Sequence, residues 1–168
     1  AGCRSRPAEF ANVGEVELDE LLDALFGEVR AHGADRLVLC AVEQERCARC
    51  MRGDEVLHHR AIDWRVYGPL IRRTMLRAGL DPWRLQKPAN GTLPEGWDVA
   101  SEQDPNNRLR LTFRPKAPAP APEGVAARAD AILAKLVQEA IAAETTATEE
   151  DELERMARAA DDAPMVKL

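Results

Sequence analysis

The sequence predicts an α+β fold: a small antiparallel sheet with helices on one side, followed by a Pro/Ala linker and a helical arm. Three observations carry that prediction. Two stretches set apolar residues at helical spacing. Short runs of strand length lie after the first stretch and again after the second. A proline-alanine segment then separates this unit from an acidic, alanine-rich end. The boundaries read as a tail at 1–14, an α+β domain at 15–115, a linker at 116–123, a helical arm at 124–162 and, at 163–168, the start of a further domain.

The first helix is expected at 17–32. Leu18, Leu21, Leu22, Leu25, Phe26 and Val29 share one helical face. Acidic residues Glu17, Asp19 and Glu20 suit the positive end of the helix dipole, and Gly33 suits a left-handed C-terminal stop. Leu37–Val42 has the length and apolar content of a strand buried on both faces. Arg46–Met51 and Glu55–Arg60 are two further strands, joined through the turn residues Arg52-Gly53-Asp54. A second helix is expected at 64–78, capped by Asp63, with Tyr67, Leu70, Ile71, Met75 and Ala78 on its apolar face. The Pro- and Gly-rich segment 80–94 is expected to be irregular. Asp98–Ala100 and Arg108–Arg114 read as strands joined by the turn Asp104-Pro105-Asn106-Asn107, with Leu109, Leu111 and Phe113 pointing inward.

Pro115 to Pro122 is a stretch of proline and alanine, broken only by Lys116, and predicts a semi-rigid extended spacer. A helix at 124–143 carries Val125, Ala129, Ile132, Leu133, Leu136, Val137, Ala140 and Ile141 on one side. Thr148 and Asp151 have capping-box spacing for a separate last helix to about Ala160. Because the linker offers the arm no fixed place, the arm is expected to stand apart from the core of the first domain. Its stripe, with Leu133 and Leu136 at the centre, is expected to meet the last helix through Leu153 and Met156, and then a partner.

Charge separates the two regions. Residues 1–115 hold 17 basic and 18 acidic residues, whereas 116–168 hold 6 basic and 11 acidic. Neither has the clustered basic face that nucleic acid selects. No apolar run approaches the ~20 residues of a membrane span. Ala1-Gly2-Cys3 has the small residues and cysteine of a lipoprotein cleavage site, without the apolar stretch that precedes one. The four cysteines, Cys3, Cys40, Cys47 and Cys50, sit in a chain long enough for a core without disulfides, which points to a reducing cytoplasm.

No Gly-x-x-x-x-Gly-Lys-Ser/Thr phosphate cradle occurs in these residues, so ATP hydrolysis by this segment is not expected. Cys47, Cys50 and His58 have the ligand types of a structural zinc site, with Cys40 as an extra thiol. Against that reading, Cys47 and Cys50 in one strand point to opposite faces. His58 and His59 read as surface residues at a strand end rather than as a catalytic base. Trp64, Trp83 and Trp97 read as packing residues, and Trp83, in the irregular segment, is also the candidate for a partner contact.

Local sequence over roughly 16–115 resembles the second N-terminal domain of the type II secretion and type IV pilus assembly ATPases. Gly33-Ala34-Asp35-Arg36-Leu37-Val38-Leu39-Cys40 stands where that family has Gly-Ala-Ser-Asp-Ile-His-Ile-Glu. Arg52-Gly53-Asp54-Glu55-Val56-Leu57 is similar to its Arg-x-Asp-Gly-x-Leu hairpin, and Ala78-Gly79-Leu80-Asp81-Pro82 to its Ala-Gly-Leu-Asp-Ile helix end. Pro88-Ala89-Asn90-Gly91-Thr92 takes the place of Pro-Gln-Asp-Gly-Arg, and Leu109-Arg110-Leu111-Thr112-Phe113-Arg114-Pro115 that of Leu-Arg-Val-Ser-Thr-Leu-Pro. Pro164-Met165-Val166-Lys167-Leu168 resembles the Pro-Val-Val-Lys/Arg-Leu opening of such a domain, so both ends read as cut from a longer chain.

The departures matter as well. The family's His and Glu become Val38 and Cys40, and its loop arginine becomes Thr92, leaving Arg110 as the one arginine placed to reach a neighbouring nucleotide. The resemblance implies a degenerate, non-catalytic docking and assembly region. It implies no cofactor of its own and a parent that uses ATP and magnesium. The implied partners are a membrane platform and the other subunits of a homo-hexamer, at the cytoplasmic side of the inner membrane. The alternatives are a stand-alone adaptor binding a protein or small ligand, and a zinc-binding regulator.

Overall fold

The computed structural model describes residues 14–84, 87–117, 119–120 and 123–161. The tail at 1–13, including Cys3, and the segment at 163–168 lie outside the described residues. Among the described residues the order is α1 (Glu15–Ala31), β1 (Arg36–Val42), β2 (Glu45–Arg52), β3 (Glu55–Ala61), α2 (Trp64–Arg77), β4 (Ala89–Leu93), β5 (Trp97–Gln103), β6 (Leu109–Pro115) and α3 (Val125–Asp161).

The strands form one six-stranded sheet in the order β3-β2-β1-β6-β5-β4, and every neighbouring pair is antiparallel. Two hairpin meanders, β1–β3 and β4–β6, therefore meet at the β1–β6 seam, and α2 carries the chain from one to the other. Leu37, Leu39, Ala48, Cys50, Val99, Leu111 and Phe113 turn to the helices and form one core with Leu21, Leu25, Phe26 and Val29 of α1 and Val66, Leu70 and Met75 of α2. Trp97 stacks on Phe26 at 4.0 Å between ring centres. The α+β class, with helices on one side of an antiparallel sheet, is the architecture observed.

Local chemistry accounts for the element ends. Asp63 accepts a hydrogen bond from Arg65 N at 2.9 Å, capping α2. Gly79 takes φ +75° past the end of that helix, while Leu80 N returns to Met75 O at 2.8 Å, a Schellman-type closure. In the 104–107 turn, Asp104 accepts from Asn106 N and Arg108 N, both at 2.9 Å.

Three expectations are corrected. The segment 80–94 is not irregular throughout, because Ala89–Leu93 forms β4, an edge strand paired with β5. Gly91 sits where this strand crosses the end of α2, and a Cβ there would lie 2.2 Å from Ala78 O. The two arm helices are one continuous helix, α3, of 37 residues. Thr145 and Thr146 do not break it, since their hydroxyls donate back to Ile141 O and Ala142 O, each at 3.0 Å.

The third correction is larger: the first half of α3 is part of the core. It packs on α1 and α2. Val125, Ala129, Leu136 and Ala140 are buried, and Ile132, Leu133 and Val137 pack partly buried against the main cluster. Ion pairs flank the contact, Arg128 to Asp23 at 3.0 Å and Lys135 to Glu17 at 3.6 Å on α1, and Arg65 of α2 to Glu144 at 2.9 Å. Leu153 and Met156 are exposed further along the same rigid rod, so they cannot fold back to cover the stripe.

Candidate functional site: the open sheet face and the Trp83 groove

The sheet face away from the helices is set by strand alternation. β6 presents Arg110, Thr112 and Arg114 there, and β5 presents Asp98, Ala100 and Glu102, with Asp98 opposite Arg114 and Glu102 opposite Arg110. Arg110 donates from Nε to Glu102 at 2.9 Å, and its Nη2 lies 2.7 Å from the same oxygen. The arginine that the sequence singles out for a nucleotide is thus matched by a carboxylate of its own sheet. Beside it, Asn90, Thr92, Asp98, Thr112 and Arg114 line a shallow polar concavity of about 430 Å³. Further across, Arg49 donates to His59 Nδ1 at 3.2 Å, and His59 Nε2 lies 3.0 Å from Glu45.

The second feature lies at the end of α2. Asp81 accepts from Trp83 N at 2.9 Å and so shapes the turn that follows the helix. Trp83 is 78% exposed. Together with Met75, Leu80, Lys87, Ala89 and Ser101 it lines a groove of about 610 Å³, apolar along its floor and basic at its rim through Arg84 and Lys87. An exposed indole beside cations can hold a partner by stacking and by its N–H.

The remaining sequence candidates are placed elsewhere. Leu136 is 0% exposed against the protein's own helices, and Leu133 packs partly buried beside it, so neither is a free partner surface. Cys47 lies on the open face with Val38 and Cys40, whereas Cys50 lies in the helix-side core. The set Cys47, Cys50, His58 is therefore divided by the sheet and cannot close round one zinc ion. Of the three tryptophans only Trp97 is in the core; Trp64 is exposed, with the Arg65 guanidinium 4.9 Å from its ring centre.

A polar cluster missed by the sequence reading joins α1, β3 and α3. Glu28, with a side chain 2% exposed, accepts from Arg60 Nε at 3.1 and 3.3 Å. Arg60 also reaches Asp130 of α3. His58 stacks on His32 at 4.4 Å and lies 3.6 Å from Glu28. It is therefore half-buried rather than a surface residue. Burial holds the His58 imidazole below its ordinary pKa, with the Glu28 charge pulling the other way. The signal was present: Glu28 falls three residues after Leu25 and seven after Leu21, an acid on an apolar helical face.

These arrangements offer binding surfaces, and the buried cluster offers rigidity. Among the described residues no helix is long and apolar enough to cross a membrane. No protein-family model matches the chain, and no curated protein is detectably similar to it.

Proposed function

We propose that this chain is a non-catalytic docking and assembly region of a type II secretion or type IV pilus assembly ATPase, whose parent binds and hydrolyses ATP with magnesium. The observation that carries the reading is the mounting of α3. Its first half is clamped to the domain by apolar packing and the Arg60–Asp130 contact. Its second half extends with every described side chain of 150–158 exposed. At ~1.5 Å per residue, twenty residues of helix reach about 30 Å. A rigid domain on a stiff acidic rod transmits displacement, as coupling a motor to a platform requires. Further support comes from the interior resemblance, because the Ala78-Gly79-Leu80-Asp81 stretch forms a tight helix end with Gly91 packed on it. The pairing of Arg110 with Glu102 fits a copy that has given up nucleotide contact.

The proposed partners are the platform's cytoplasmic domain and neighbouring subunits of a hexamer at the inner membrane. The test is a binding titration of the chain against a secretion or pilus platform domain and, separately, against an assembly ATPase core. Saturable binding that weakens when the chain ends after Ala142 is expected, with no ATP turnover by the chain alone. Absence of binding to both, or turnover that co-purifies with the protein, sinks the proposal. A second reading, an adaptor that captures a peptide or small ligand, is favoured by the exposed Trp83 over its groove. If Trp83→Ala abolishes binding while loss of 143–161 leaves it unchanged, the adaptor is the better account.

A further inference from the structure

Cys40 and Cys47 are direct cross-strand partners in the β1–β2 hairpin. Their sulfurs lie 3.7 Å apart, and Cys47 Sγ also donates to Cys40 O at 3.5 Å. Antiparallel partners have Cα atoms ~4.5–5.5 Å apart, which falls within the ~4.4–6.8 Å span of disulfides. Small χ1 adjustments close such sulfurs to a bond of ~2.05 Å. The pair sits on the sheet face away from the helices, clustered with Val38 and Met51. Cys50 is on the other face, so it cannot compete for either sulfur.

We propose that Cys40 and Cys47 form a redox-active dithiol that a low-molecular-weight disulfide oxidises reversibly to a cross-strand disulfide. Cys40 is the attacking thiol and Cys47 the resolving one. Cys40 is 9% exposed and Cys47 0%, so a small oxidant reaches Cys40 first. The Cys40 thiol is lowered to about 7, first by its hydrogen bond with Cys47 and then by the nearby Arg49, Arg110 and His59, with burial opposing. A thiolate is the nucleophile in disulfide exchange. Cys47 is pushed up first by its bond to Cys40, a restraint that ends once Cys40 is no longer a thiolate.

The step balances. The Cys40 thiolate attacks one sulfur of the external disulfide, forming a mixed disulfide and releasing one thiolate, which takes the proton Cys40 gave up. Cys47 then loses its proton and attacks the Cys40 sulfur. The second external thiol departs, carrying that proton. The protein loses two hydrogens and gains one S–S bond, and the external disulfide is reduced to two thiols.

The experiment treats the folded full chain with glutathione disulfide, alkylates it after denaturation and maps it with trypsin. Cleavage after Arg36, Arg46 and Arg49 places Cys40, Cys47 and Cys50 on separate peptides. Peptide 37–46 joined to 47–49 is expected, with Cys50 alkylated and dithiothreitol restoring both free thiols. Cys50→Ala is expected to retain the link and Cys40→Ser to abolish it. The proposal is overturned by unreacted cysteines, by a lasting glutathione adduct on Cys40 with Cys47 free, or by a link through Cys50 or Cys3.

Discussion

The two halves of α3 belong to one helix but to different environments. From Val125 to Ala140 the helix returns a buried side chain every four to seven residues, with Leu136 at 0% exposure. Between Ile141 and the end of α3 the only large apolar residues are Leu153 and Met156, and these are 65% and 68% exposed. Composition makes the difference. The first half supplies a stripe that α1 and α2 can cover, while the second supplies alanine and acid. A helix in a protein is stabilised mainly by tertiary packing of its apolar face. The first half is therefore part of the fold, and the second half is free to serve a function.

The severest test of that contrast is truncation. A chain ending after Pro115 strips the cover from α1 and leaves Arg60 without Asp130. Each large apolar side chain so lost is worth ~1.5–3 kcal/mol, against a total stability of ~5–15 kcal/mol. Loss of the cooperative thermal transition, or a large fall in its midpoint, is expected. An unchanged midpoint would show that α3 is an appendage after all. A chain ending after Ala142 is expected to melt within a few degrees of the full chain.

Glu28→Ala removes the buried partner of Arg60 and leaves it only the exposed Asp130, a change that costs up to about 3–5 kcal/mol. Urea titration reads this as a lower midpoint at constant slope. A shift equal to that of Glu144→Ala, an exposed acid that pairs α3 with α2, would refute the clamp. Point substitutions then compare the halves directly. Leu136→Ala is expected to lose about 2–5 kcal/mol, and Leu153→Ala to stay within about 0.5 kcal/mol. Equal losses would break the comparison.

The smallest effect is on pH. His58 has a folded pKa below its ordinary value. The unfolded chain therefore binds more protons than the folded one in that window, and stability rises with pH. The contribution is full above the unfolded value of ~6.5 and is lost as pH falls below it. His58→Gln is expected to flatten the fall in midpoint between neutral and mildly acidic buffer. An identical slope in the variant removes His58 from the account. Asp35, lowered first by the hydrogen bond from Gly53, acts in the same direction at more acidic pH.

Most element positions were legible because they follow from local chemistry. The α1 stripe, the Asp63 cap, Gly79 after α2 and the Asp104 turn each announce themselves within a few residues. β4 did not, because its inward positions, Ala89, Gly91 and Leu93, carry only one large apolar side chain, and it becomes a strand by pairing with β5. Of the candidate sites, Trp83 was legible as an exposed aromatic in an irregular segment. The Glu102 partner of Arg110, the partners that gather round Glu28 and the Cys40–Cys47 pair were not, since each contact is made by residues on different elements.

By itself, then, the sequence determined that α3 has a face that must be buried, that the face ends near Ile141, and that a sheet with one helical side precedes it. Only the tertiary structure decided that α1 and α2 cover that face and that the helix runs unbroken past Thr145 and Thr146. Periodicity records which side of an element avoids water. It carries no information about which surface, near or distant in the chain, will be the one to exclude it.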